Sequence, residues 1–220
     1  MQTDRRATPD VSAAEYIRKL PASRPFGLIF GVVRPPACMP CPAESVLLPR
    51  LIAAIASGAP RGTELRVPAD VVLDAENHLV LHPTLAIVLP KRSRILKPDG
   101  TIWGAPDVVV ELVWPAVSRR IKTTKLPWYG KFGVQECWLV HPARNRIEIV
   151  PLVSVNVPRA YFAAAVPYVF NGRERLDSPL LPDVSLTASS LFAGIATEGW
   201  SERTRQRVER THADTEHEPA

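Results

Sequence analysis

Glu111 stands inside Asp107 to Val113, DVVVELV, a β-branched run that reads as a buried strand, and Lys125 follows at the start of a helical stretch, KLPWYGKFG. A carboxylate set among Val and Leu is costly to bury unless it meets a cation, a metal or hydrogen-bond donors. Two kinds of chemistry suit the pair. In one, Glu111 and Lys125 form an ion pair that ties helix to strand. In the other, the carboxylate holds a divalent ion and the lysine orients or activates a water for phosphodiester hydrolysis. Residues 118–131 favour an anionic partner, with Arg119, Arg120, Lys122, Lys125 and Lys131 and no acid. Asp107 shares a strand face with Glu111 but lies four residues away, about 13 Å at strand rise, too far to share one ion. Following Pro106 at the strand entrance, it is expected to be a solvated strand-end acid.

The elements that position these groups follow from the pattern. Gly104 to Pro142 is expected to fold as strand, basic turn, short helix and second buried strand. Ser12 opens a helix over SAAEYIRKL with Glu15 as its capping-box partner. Phe26 to Val33 is a strand run, and Val46 to Ser57 has helical spacing, its start set near Val46 by Pro49. Short strands follow over 64–67, 69–73, 78–89, 146–155 and 161–170, with 78–89 holding one or two strands around Pro83. SPLLPDVSLTASSLF ends the fold as a strand leading into a short helix at Ala188. Strands outnumber helices, and the 23 prolines break the chain into short pieces, so the expectation is an α+β domain rather than a bundle.

Composition narrows the function classes. The chain has 220 residues and a net charge of +5. Its acidic tail from Glu198 onward leaves a more basic body, suited to a polyanion. No apolar run is long enough to span a bilayer, and no signal-type core follows the N-terminus, so a cytoplasmic protein without a membrane partner is expected. Cys38 and Cys41 form a lone CxxC among prolines. A closed zinc site wants four ligands, so the pair is taken as two loop thiols, with zinc or redox chemistry the alternative. Cys137 is expected in the core. No GxGxxG, Walker, GxSxG or HExxH sequence is present.

The run PDVVVEL, Pro115 four residues after Glu111, and KLPWYGKFGVQECWLVHP together resemble the putative restriction endonuclease family called Uma, of the PD-(D/E)XK phosphodiesterase superfamily. The matching residues include Pro106, Asp107, Glu111, Lys125, Leu126, Tyr129, Gly133, Glu136, Trp138 and Pro142. The resemblance extends from AAEYIRKLPASRPFGLIFGVV to DSPLLPDVSLTASSLF. It implies a restriction-endonuclease-like α/β (α+β) core, a mixed sheet flanked by helices, spanning residues 13–196 between a flexible N-terminus (1–12) and a charged tail (197–220). It also implies Mg²⁺, DNA as partner, Glu111 and Lys125 as catalytic residues, and Arg119, Arg120, Lys122 and Lys131 as phosphate contacts. Glu111, with Asp107 a weaker second, is the metal ligand; a homodimer is a further expectation.

Of the four site positions in the family pattern, two carry over. Glu111 and Lys125 match, while Gly27 and Thr84 stand where the pattern has Glu and Asp. A Mg²⁺ site wants more than one oxygen anion, and Thr84 offers a neutral hydroxyl. His82 and Asp74 are the nearest substitutes in sequence. The reading is an endonuclease by family, with a degenerate site of little or no activity. The alternative is a non-catalytic nucleic-acid-binding or partner-binding module on the same fold.

Overall fold

A computed structural model describes residues 11–19, 27–34, 43–114, 121–152 and 166–195. In chain order the elements are α1 (Ala13–Lys19), β1 (Gly27–Ile29), β2 (Val32–Arg34), α2 (Glu44–Gly58), β3 (Glu64–Arg66), β4 (Val71–Asp74), β5 (Leu79–Leu81), β6 (Leu85–Val88), β7 (Ile102–Trp103), β8 (Val108–Leu112), α3 (Leu126–Phe132), β9 (Glu136–His141), β10 (Arg146–Pro151), β11 (Tyr168–Phe170) and α4 (Ala188–Leu191). The α/β expectation holds, but the strands form two mixed sheets. One runs β2-β1-β5-β4-β7 and the other β11-β10-β9-β8-β6-β3.

The division falls at Pro83. β5 belongs to the first sheet and β6 to the second, so His82 to Thr84 is the crossing between them. A proline has no N–H for the ladder, which makes this a natural place to leave one sheet and enter the other. In the first sheet β4 and β5 alternate between two cores. Val72 and Val80 pack with Ala13 and Tyr16 under α1, while Val71, Leu73, Leu79 and Leu81 join the main core. The second sheet is covered on both faces at its centre, where every residue of β8 and β9 is buried.

β8 and β9 pair in parallel, with Val110 against Trp138 and Glu111 against Leu139. A parallel pair needs a crossover, and residues 113–135 supply it. Ile121–Lys125 forms a single π-helical turn that runs into α3, and such turns often accompany functional sites. Gly133, at φ 93°, closes α3 in the left-handed conformation, its N–H bonded to the Gly130 carbonyl and that of Val134 to the Tyr129 carbonyl. This short connection delivers Lys125 and Tyr129 to β8.

Two expectations about elements need correcting. α2 begins at Glu44, not near Val46, so Pro49 lies in its second turn and forgoes one helical hydrogen bond; burial of Leu47, Leu51 and Ile55 offsets that loss. The Phe26–Val33 run is a hairpin, not one strand, because Phe30 and Gly31 both take positive φ (50° and 76°) and reverse the chain. The charged tail (197–220) and the CxxC pair lie outside the described residues.

Candidate nuclease centre

Glu111 is 3% exposed on β8. Lys125 Nζ lies 2.7 Å from its Oε1 and 2.9 Å from its Oε2, and the Tyr129 hydroxyl donates to Oε1 at 2.6 Å. The third acceptor of the ammonium is the His82 carbonyl, at 2.7 Å. An ammonium has three protons, and here each has an oxygen to meet. Lys125 and Tyr129 lie four residues apart, which stacks them on one side of the helical stretch above the acid. Burial first, and then the Glu111 charge, push the Tyr129 phenol well above its ordinary pKa, so it stays a donor to the carboxylate.

Thr84 is the first residue of the second sheet's approach. The Leu85–Val110 pairing, continued by one residue, sets Thr84 opposite Glu111. Its hydroxyl oxygen accepts the Leu112 N–H at 3.1 Å. Gly27 lies on β1, in the other sheet. A Cβ there would come within 3.3 Å of the Val80 carbonyl oxygen and 3.8 Å of the Leu81 side chain, two residues or fewer from His82. The backbone around β5 has closed in on the space a side chain at 27 would need.

Neither sequence-nearby substitute serves Glu111. Asp74 is the half-buried last residue of β4 and accepts from the Asn77 backbone (3.0 Å) and side-chain amide (2.8 Å). The His82 ring turns toward α1, where Nε2 meets the Tyr16 hydroxyl at 2.9 Å and Nδ1 lies 2.7 Å from buried Asp70 without hydrogen-bond alignment. This Tyr16–His82–Asp70 group was not foreseen from sequence; only the packing of α1 on the first sheet brings it together. It touches the centre through the His82 backbone alone.

Asp107 corrects its expectation. It is 3% exposed, not solvated. Its Oδ2 accepts the Leu89 N–H at 2.7 Å, and its Oδ1 accepts the Gln135 amide at 3.0 Å and faces Arg92 Nε at 3.2 Å. Three donors from two connecting segments converge there, which ties the ends of β6, β8 and β9. Glu136 is likewise buried and structural, accepting from Trp138 Nε1 (3.0 Å) and Ser178 Oγ (2.7 Å). Cys137 is in the core as expected, its thiol pushed well up by burial.

A second buried acid shares the Glu111 row. Glu111 pairs with Leu139 and Leu139 with Glu148, so all three side chains lie on one face. Glu148 meets Arg146, with Lys122 at 3.7 Å and His141 Nε2 at 3.4 Å. The His141 imidazole foremost, then the two longer cations, hold its carboxyl down to about 2 against the opposing effect of burial. The alternation in RIEIV announced a strand, but nothing in it announced that Glu148 would point inward.

Of the proposed phosphate contacts, Lys122 is drawn toward Glu148 and Lys131 lies over the rings of Trp128 and Phe132. Arg119 and Arg120 lie outside the described residues.

The family model described as "Putative restriction endonuclease", Uma2, matches residues 13–189. The chain belongs to this family. A crystal structure described as a putative nuclease belonging to DUF820, from Anabaena variabilis, has the same fold, with a TM-score of 0.63 over 83% of this chain and 98% of that one at 18% identity. No curated protein matches the chain.

Restriction-endonuclease-like families generally use a divalent metal, and the donor set here can be tested for one. Both Glu111 oxygens already accept from Lys125, and the residue opposite is a threonine whose oxygen is engaged by a backbone N–H. Mg²⁺ wants near-octahedral oxygen coordination with more than one anionic ligand, and here the Glu111 charge is already met by the Lys125 ammonium with no second carboxylate opposite. Among the described residues no three His, Cys, Asp or Glu side chains converge as ligands. The centre of this Uma2 protein does not fit the metal its family implies.

Proposed function

We propose that this Uma2-family protein binds nucleic acid on a restriction-endonuclease-like fold and has lost metal-dependent phosphodiester cleavage. One observation carries the reading. The three protons of the surviving lysine are all taken, by the two Glu111 oxygens and the His82 carbonyl, while the surviving acid is neutralised by that ammonium, accepts from Tyr129, and has a neutral Thr84 opposite it instead of a second carboxylate. The pair has become a strut between β8 and the π-helical turn. Affinity for a polyanion survives this loss, because it rests on basic side chains of residues 118–131 and on the net positive charge. No helix among the described residues is long and apolar enough to cross a membrane.

The test pairs a nicking assay on supercoiled plasmid, in Mg²⁺ and in Mn²⁺, with retention of labelled DNA across a salt series. Retention that falls steeply with salt, and plasmid that stays supercoiled, is the expected result. Metal-dependent nicking that disappears in Glu111→Ala overturns the loss of catalysis. Absence of retention even at low salt overturns the nucleic-acid partner.

A further inference from the structure

Beside this centre the molecule displays aromatic surface that the core does not require. Phe30 is 51% exposed at the tip of the β1–β2 hairpin. Its φ of 50° lies in the left-handed region, where Asn or Gly is the ordinary choice and a bulky side chain is strained. The strained tip is set against α3. The Phe30 and Trp128 ring centroids are 5.3 Å apart, with planes at 76°, and Trp128 lies 6.2 Å from Phe132 at 33°. Trp128, Lys131 and Phe132 follow helical spacing on α3, so they form one stripe. Trp128 and Phe132 pack against the core and stay partly open; Phe30 stands nearly upright to Trp128. Lys131 Nζ rests 5.0 Å from the Trp128 centroid and 5.3 Å from that of Phe132.

Position and charge say what this corner suits. Trp128 comes three residues after Lys125, about 5 Å along the helix axis, so the corner adjoins the centre. The stretch that carries it has five cations and no acid. Asp74, whose charge reaches Lys131, is already bonded to Asn77. Flat π-faces beside a mobile cation take a nucleobase by stacking and its phosphate by charge, and every base has such a face only when it is out of a duplex.

We propose that Phe30, Trp128, Phe132 and Lys131 form a stacking platform for an unpaired nucleobase, so that the polyanion this protein prefers is single-stranded. The proposal rests on the nucleic-acid reading above and adds the strandedness. When a base takes its place on the rings, Lys131 swings from them to the adjoining phosphate. The hairpin tip then acts as the wall that holds the base, which gives the strained Phe30 a role that Asn would not fill.

Fluorescence anisotropy on the full chain decides it, with a labelled oligothymidylate about a dozen residues long and the matching oligothymidylate–oligoadenylate duplex as probes. The single strand is expected to bind more tightly than the duplex and to quench tryptophan emission, with the quenching reduced in Trp128→Phe. Phe30→Ala, at an exposed tip, is expected to melt like the parent, to weaken the single strand about fivefold or more, and to leave the duplex within about twofold. Equal losses on both probes, or none on either, overturn the platform and leave nucleic-acid binding standing. Binding of neither probe overturns both readings. A dimer in sedimentation that Phe30→Ala dissolves also overturns the platform, since a second copy then covers the corner.

Discussion

Asp107 and Glu111 belong to the same strand region, four residues apart, and both are about 3% exposed, yet they are held in different ways. Asp107 is met by a backbone N–H, an amide and a guanidinium brought from two connecting segments. Glu111 is met by two side chains from one short helical stretch, Lys125 and Tyr129, and Lys125 keeps 24% of its side chain exposed. The first acid is bound into the main chain and cannot be released without opening the end of the sheet. The second is held by a removable partner. The difference teaches that burial alone does not say how an acid is held; the origin of its donors does.

Breaking the second arrangement is expected to have the largest effect. Lys125→Met leaves a buried carboxylate with Tyr129 as its remaining partner and should cost about 3–5 kcal/mol in urea denaturation. Adding Glu111→Gln removes the stranded charge and should recover most of that loss. If the double variant is no more stable than the single, Glu111 is not held chiefly by its cation, and the contrast with Asp107 fails.

Asp107→Ala comes next, at roughly 2–3 kcal/mol, since donors to a charged acceptor lose it together. Here the companion change Arg92→Met should recover little, because the Leu89 N–H stays buried and cannot be mutated away. A full recovery would show that Asp107, too, is merely one half of an ion pair.

The smallest effect sharpens the contrast through pH. Glu148 has its folded pKa depressed to about 2, so its carboxylate contributes stability that is present above the ordinary value of 4.5 and is lost as pH falls toward 2. Glu148→Gln should therefore lower the melting temperature at neutral pH and flatten its decline over that acid window. An unaltered acid limb would assign the decline to other carboxylates.

Much of the fold was legible. The β-branched run of β8, the helical stretch that begins at Lys125 and the short helix at Ala188 are local features, and local sequence settles them through side-chain pattern and backbone preference. The division into two sheets was less so: Pro83 marked an interruption, but a proline says only that a ladder stops, not which sheet the next strand joins. Tyr129 could have been found as a site residue, four positions after Lys125 on a helix. Asp70, Tyr16 and Glu148 could not, for their partners lie on other elements.

By itself the sequence determined the family pattern, the buried acid and its lysine, and the absence of carboxylates at positions 27 and 84, since residue identities need no folding to be known. Only the tertiary structure decided that Glu111 spends its oxygens on Lys125 and Tyr129, that the His82 ring faces away, that Asp107 is main-chain scaffolding, and that Phe30 comes to stand against Trp128. Hydrogen-bond capacity is a property of the pair, not of the residue. A carboxylate has finite lone pairs and an ammonium three protons, and which neighbours take them depends on how distant segments pack.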